Sequence, residues 1–286
     1  MKDLIIGCST GYGWNVLKYW VNSINMSGFQ GDKVLIMMNA DRETVEQVIK
    51  AGVHVIGFGQ NERGDLVYKH GKIPVHVERF LHIYNYLKDK DYRYVITTDV
   101  KDVVFQKNPS DYMYQRFGDQ MLEEESLNLM FASESMRYKD EPWGNQNLLE
   151  TFGPYIHEQF KNNKIYNVGV LAGRGYTIKD LAMNIFLSAI NRPIPICDQS
   201  TFNVMISMSP YLETSIYMDS EDGWACQLGT TGDPSKIEEF RPFLFEPEPK
   251  MKDGKVVTNT NETEFTIVHQ YDRVPEWRKI IEAKYE

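Results

Sequence analysis

The chain has 286 residues, with 40 acidic against 31 basic side chains and a formal net charge of −9. That length buries a sizeable core as one α/β domain or as two smaller ones, and the acidic balance argues against general attraction to nucleic acid or to an anionic membrane surface. Three widely spaced cysteines, Cys8, Cys197 and Cys226, fit neither a disulfide framework nor a zinc cluster and point to a reducing compartment.

The N-terminal apolar run is too brief for a signal peptide and leads straight into strand-like sequence. No later stretch approaches the roughly 18 consecutive apolar residues of a membrane span. The expectation is a soluble, cytoplasmic protein without membrane insertion.

Residues 4–9 read as a strand, followed by a polar turn over 10–13 and a helix with Val16, Leu17, Trp20, Val21 and Ile24 on one face. A second strand covers 33–39. Asp41 caps a helix over 43–51, Gly52 closes it, and 53–58 is a third strand. A helix over 75–87 turns Val77, Phe80, Leu81, Tyr84 and Leu87 to the core, and the strand 94–98 follows. This alternation calls for a mostly parallel sheet with helices on both faces, an α/β fold. In the second half, strands are expected over 127–134 and 166–173, with Pro142 to Asn145 in a loop. Helices follow over 177–190 and from about Asp198 or Ser200 through Ile206. Residues 219–248 read as loop-rich, 265–273 as a last strand and 275–284 as a last helix. No repeat or linker divides the chain, so 1–286 is expected to be a single domain, with a nucleotide-binding half over 1–106 and an acceptor half over 107–286.

The strand 94–98 stops in two carboxylates, Asp99 and Asp102. Ligands of open α/β sheets bind beyond the carboxyl ends of the strands, where hard oxygen ligands suit a divalent cation holding a phosphorylated substrate. A solvated turn with two Asp is the plain alternative. His269, at the end of the last strand, changes the balance: two carboxylates and one neutral imidazole suit Mn²⁺, with Mg²⁺ as runner-up. The glycine-containing turn 7–13 lacks the Gly-Lys-Ser/Thr of a phosphate loop, and backbone approach to a nucleoside is its expected role.

Taken together, the acidic strand end, the strand Asn167-Val168-Gly169-Val170, Asp198-Gln199 opening a helix, and His269-Gln270-Tyr271-Asp272-Arg273 resemble the GT-A glycosyltransferases. Within them, the segments 99–106 (Asp-Val-Lys-Asp-Val-Val-Phe-Gln) and 269–273 (His-Gln-Tyr-Asp-Arg) look like a group of small soluble enzymes of algae, their large DNA viruses and some bacteria. The resemblance implies a UDP-sugar donor, a divalent metal on its diphosphate, and sugar transfer to a hydroxyl of an oligosaccharide or glycan acceptor. It implies Asp99, Asp102 and His269 as metal ligands. Ser9, Thr10, Arg79, Thr98, Asp99, Lys101, Asn167, Gln199 and Trp224 would then surround the donor. The usual acidic motif has one residue between its two Asp; this chain has Val100 and Lys101, which leaves open which Asp binds metal directly.

Inverting transfer needs a base for the acceptor hydroxyl. Asp198 is the first candidate by resemblance, with a helix N-cap as its structural alternative. Glu134 is the reserve, and Asp219 and Asp222 are weaker. Trp143, Trp224 and Tyr12 are candidates for stacking on a sugar or base, Trp224 foremost. Two other readings stand beside the transferase: a sugar nucleotidyltransferase, and a nucleotide-sugar-binding protein without catalysis.

Overall fold

The computed structural model describes residues 1–118 and 127–286. Its opening is a strand and helix alternation: β1 (Lys2–Thr10), α1 (Trp14–Met26), β2 (Asp32–Met38), α2 (Arg42–Lys50), β3 (His54–Ile56), α3 (Val75–Leu87) and β4 (Tyr92–Thr98). Asp41 caps α2, its carboxylate accepting the Thr44 backbone N–H at 2.8 Å. The chain continues through β5 (Val103–Phe105), α4 (Pro109–Phe117), β6 (Leu129–Arg137), α5 (Pro142–Phe160), β7 (Lys164–Arg174), α6 (Gly175–Ala189) and α7 (Asp198–Ile206). The last elements are β8 (Ser215–Met218), β9 (Ala225–Gln227), β10 (Lys250–Lys252), β11 (Lys255–Val257), β12 (Ile267–His269) and a closing helix, Pro275–Lys284. Among the described residues no helix is long and apolar enough to cross a membrane.

Seven strands form the main sheet in the order β3-β2-β1-β4-β7-β6-β8. It is mostly parallel, with β7 alone running against its neighbours β4 and β6. Period-two alternation divides its side chains between two cores. Ile5, Leu35, Met37, Tyr94 and Ile96 pack with α1, while Leu4, Ile6, Val34, Ile36 and Val95 pack with α3 and α6. Both faces are therefore covered.

β1 sits between β2 and β4, so the strand order reverses beside it and a crevice opens at the carboxyl ends of β1 and β4. The turn from β4 into β5 carries Asp99 and Asp102 across this crevice. A second sheet, β5-β12-β9, then returns the distant C-terminal strand to the same place. Its register sets His269 beside Val103 on one side and Gln227 on the other. That pairing brings an imidazole 167 positions down the chain next to Asp102.

Three local expectations change. Pro142, Trp143, Gly144 and Asn145 open α5 instead of lying in a loop: Pro142 occupies the first turn, where its missing N–H is no loss, and the Glu141 side chain accepts the Gly144 N–H. The helix is interrupted at Gly153, whose φ of 78° is non-helical. The last strand is shorter than 265–273, because Gln270 turns left-handed at φ 59° and sends the chain into a short 3₁₀ turn, Tyr271–Arg273. Finally, the cap of α7 is Cys197 without a side-chain bond, and Asp198 turns its carboxylate elsewhere.

Candidate functional site

Two cavities meet at the crevice, of about 310 and about 280 Å³. His76, Arg79, Asp99 and Arg273 line both. The outer one continues over Ser9, Thr10, Tyr12, Lys101 and Asp102. Asn167, Asp198, Gln199, Glu134 and His269 are in the wall of the inner one.

Asp99, Asp102 and His269 offer ligand atoms that all lie within 4.8 Å of one another. His269 Nε2 is 3.6 Å from Asp99 Oδ2 and 3.7 Å from Asp102 Oδ1. Its Nδ1 lies 2.8 Å from Gln227 Oε1, an acceptor, so the proton is assigned to Nδ1 and the Nε2 lone pair turns to the carboxylates. Metal-ligating histidines are commonly oriented in this way. Gly169 completes the cradle, since a Cβ there would come within 2.5 Å of His269 Cε1 and 2.8 Å of Asp99 Oδ2. Two oxygens and one imidazole nitrogen around a space that only glycine leaves open fit a divalent cation of Mn²⁺ or Mg²⁺ type.

The charges here are unevenly shared. Burial opposes ionisation of Asp99, but Arg79 and His269 hold its carboxyl well below the usual range. Asp102 moves upward, because burial and the negative charges of Asp99 and Asp272 outweigh the pull of His269 and Lys101. Burial works against a charged His269 as well, yet Asp102 and Asp99 raise its pKa. Crowded carboxylates of this kind are relieved by an added positive charge.

Arg79, from α3, joins the two cavities. Its guanidinium donates to Asp99 and, at 2.9 Å, to Asp198 on α7. Burial alone would weaken its charge, and the two carboxylates raise its pKa instead. Behind it Glu134 Oε1 accepts from Asn167 Nδ2 at 2.6 Å and from Gln199 Nε2 at 3.1 Å. Asn167 Oδ1 in turn accepts the Gly169 N–H at 2.7 Å. In the outer cavity Lys101 pairs with Asp272 at 3.4 Å, and the Thr10 hydroxyl lies 3.2 Å from His70 Nε2.

Ser9, Thr10, Arg79, Asp99, Lys101, Asp102, Asn167, Asp198, Gln199 and His269 thus come together in one cleft. Two expected residues do not. Thr98 shares the parity of Tyr94 and Ile96, faces α1, and accepts the Trp20 indole N–H at 2.9 Å. Trp224 is fully buried beneath α4, with its ring 5.1 Å from that of Tyr112. Asp219 and Asp222 are engaged by Lys164 and Arg116. Sequence reasoning missed His76 and Gln227. Only the β9 to β12 register could have singled out Gln227.

No family model matches the sequence, and no curated protein matches it. Among solved structures, the chain is similar to WbbM, a bifunctional glycosyltransferase in its apo form. The TM-score is 0.57 at 9% identity, over 99% of this chain and 51% of that one. The chain has a glycosyltransferase fold. It spans about half the length of the WbbM structure it matches, and its crevice at the β4 end combines that fold with an acidic cluster fit for a metal.

Proposed function

We propose that this chain is a single-domain GT-A glycosyltransferase, dependent on Mn²⁺ with Mg²⁺ as substitute. It moves a sugar from a UDP-sugar donor to a hydroxyl of a glycan acceptor. The observation that carries this reading is the Asp99, Asp102 and His269 cluster at the carboxyl end of β4, inside a glycosyltransferase fold. These three residues would hold the cation. When bound, a divalent cation offsets the negative charge that grows on the departing diphosphate.

The chain's own residues do the rest. Residues 1–106 form the nucleotide half, with Ser9, Thr10 and Tyr12 lining the outer cavity where the nucleoside lies. Arg79 and Arg273, which line both cavities, and Lys101 of the outer one attract the diphosphate. Residues 107–286 form the acceptor half, where Asn167 and Gln199 are fixed by Glu134 and face the donor sugar. Asp198, oriented by Arg79, is the base for the acceptor hydroxyl, which makes the transfer inverting. Glu134 has its Oε1 engaged by two amides and is the poorer base. The three free thiols, Cys8, Cys197 and Cys226, fit work in the cytoplasm.

The test is nucleotide release from a panel of nucleotide sugars. UDP release that needs Mn²⁺, stops with a chelator, and falls on the order of 10²-fold or more in His269→Ala is the expected result. Release indifferent to chelator and to that substitution removes the metal from the account. Pyrophosphate release from a nucleoside triphosphate would favour a nucleotidyltransferase.

A further inference from the structure

We infer that Trp143 and Ile196 form an acceptor subsite, an apolar shelf at the inner cavity that stacks on the C–H face of a neutral pyranose unit. This rests on the glycosyltransferase reading. Most other side chains lining the inner cavity are charged or amide groups, among them Asp99, Glu134, Asp198 and Gln199, and the one further apolar side chain among the described residues, Val168, is buried. Against them Trp143 is 50% and Ile196 42% exposed. Single exposed apolar side chains are ordinary on a protein surface. Two lining one largely polar cavity, one on α5 and one in the segment that α5 holds by a hydrogen bond, are not.

The tie is specific. Trp143 occupies the first turn of α5, started by Pro142 and capped by Glu141. One turn on, Asn147 Nδ2 donates to the Ile196 carbonyl at 2.5 Å, and Asn147 Oδ1 accepts from Ser200 of α7 at 2.5 Å. Both partners on the α5 and α7 sides of this bridge, Asn147 and Ser200, are buried. The backbone that carries Ile196 is therefore fixed against α5, the helix that carries Trp143, before any ligand arrives, which lowers the entropy lost on binding.

Its occupant follows from the chemistry of the surroundings. Asp233 and Lys236 line the same cavity and can meet hydroxyl groups. With Glu141 beside the shelf, these charges give no net positive field, so a neutral sugar fits better than a phosphorylated or acidic one. A pyranose offers this pairing, an apolar C–H face for an aromatic ring and hydroxyls at its edge. A nucleobase would stack as well, but the nucleoside has the other cavity, where Tyr12 stands.

Calorimetric titration of the full chain tests the subsite in two stages. UDP is titrated first in the presence of Mn²⁺, then linear neutral trisaccharides are titrated into the UDP complex: maltotriose, cellotriose, mannotriose and N-acetylchitotriose. The expected result is saturable binding of at least one, weakened about tenfold or more in Trp143→Ala and largely restored in Trp143→Tyr, with UDP affinity unchanged in both. Equal binding by Trp143→Ala, or no trisaccharide bound by a chain that binds UDP, overturns the subsite alone. Failure at the first stage overturns the glycosyltransferase reading and the subsite with it.

Discussion

On one side of Arg79, the cleft wall carries Asp99, Asp102 and His269, three ionisable groups within 4.8 Å whose charges do not balance comfortably. On the other side, Glu134 is buried too, but its Oε1 is met by the amides of Asn167 and Gln199. Burial raises the pKa of Glu134, and the two amides work against that rise. One wall crowds two carboxylates against one imidazole, and the other is satisfied by the protein itself. The difference separates a cluster with room for an added positive charge from a surface that holds its shape.

The contrast can be broken at either wall. Gln227→Leu takes away the acceptor that fixes the His269 ring while leaving the three ligand side chains in the chain. Mn²⁺ affinity, measured by titration in the presence of UDP, is expected to fall 10–100-fold, with the thermal midpoint little changed. An unchanged affinity would mean that Gln227 does not orient the imidazole. Glu134→Leu acts on the opposite wall, where it strands the Asn167 and Gln199 amides. Denaturant unfolding is expected to show a loss of about 2 kcal/mol, with Mn²⁺ affinity retained. If that variant loses metal and keeps its stability, the two walls have been assigned the wrong way round.

Both walls were partly legible in the sequence, Asn167, Gln199 and Glu134 as well as the acidic strand end, and the rest was not, for physical reasons. β1, α1, the Asp41 cap and α3 are local features, written in period-two and 3.6 patterns and in one capping residue, so they could be read directly. Asp99 and Asp102 stood out because charge follows an apolar run. His269 could be named as a polar end to a strand, but its place beside Asp102 depends on β12 pairing with β5. Gln227 depends on the same sheet and carried no local mark. Thr98 was misplaced although alternation from Tyr94 and Ile96 turns it toward α1. Trp224 was misplaced because Gly223, Ala225 and Cys226 resemble a loop, whereas Ala225 and Cys226 are the strand that lies against β12. The start of α5 was hidden by Pro142 and Gly144, residues that suit a first turn as well as a loop.

The central claim, that Asp99, Asp102 and His269 hold one divalent cation, is tested most directly by electron paramagnetic resonance of Mn²⁺ added to the chain with UDP. The account predicts that the free-ion signal is suppressed until one equivalent has been bound, and that Asp102→Asn and His269→Ala each release most of it at the same concentrations. Suppression of equal size in the wild type and both variants, or none in the wild type, would contradict it.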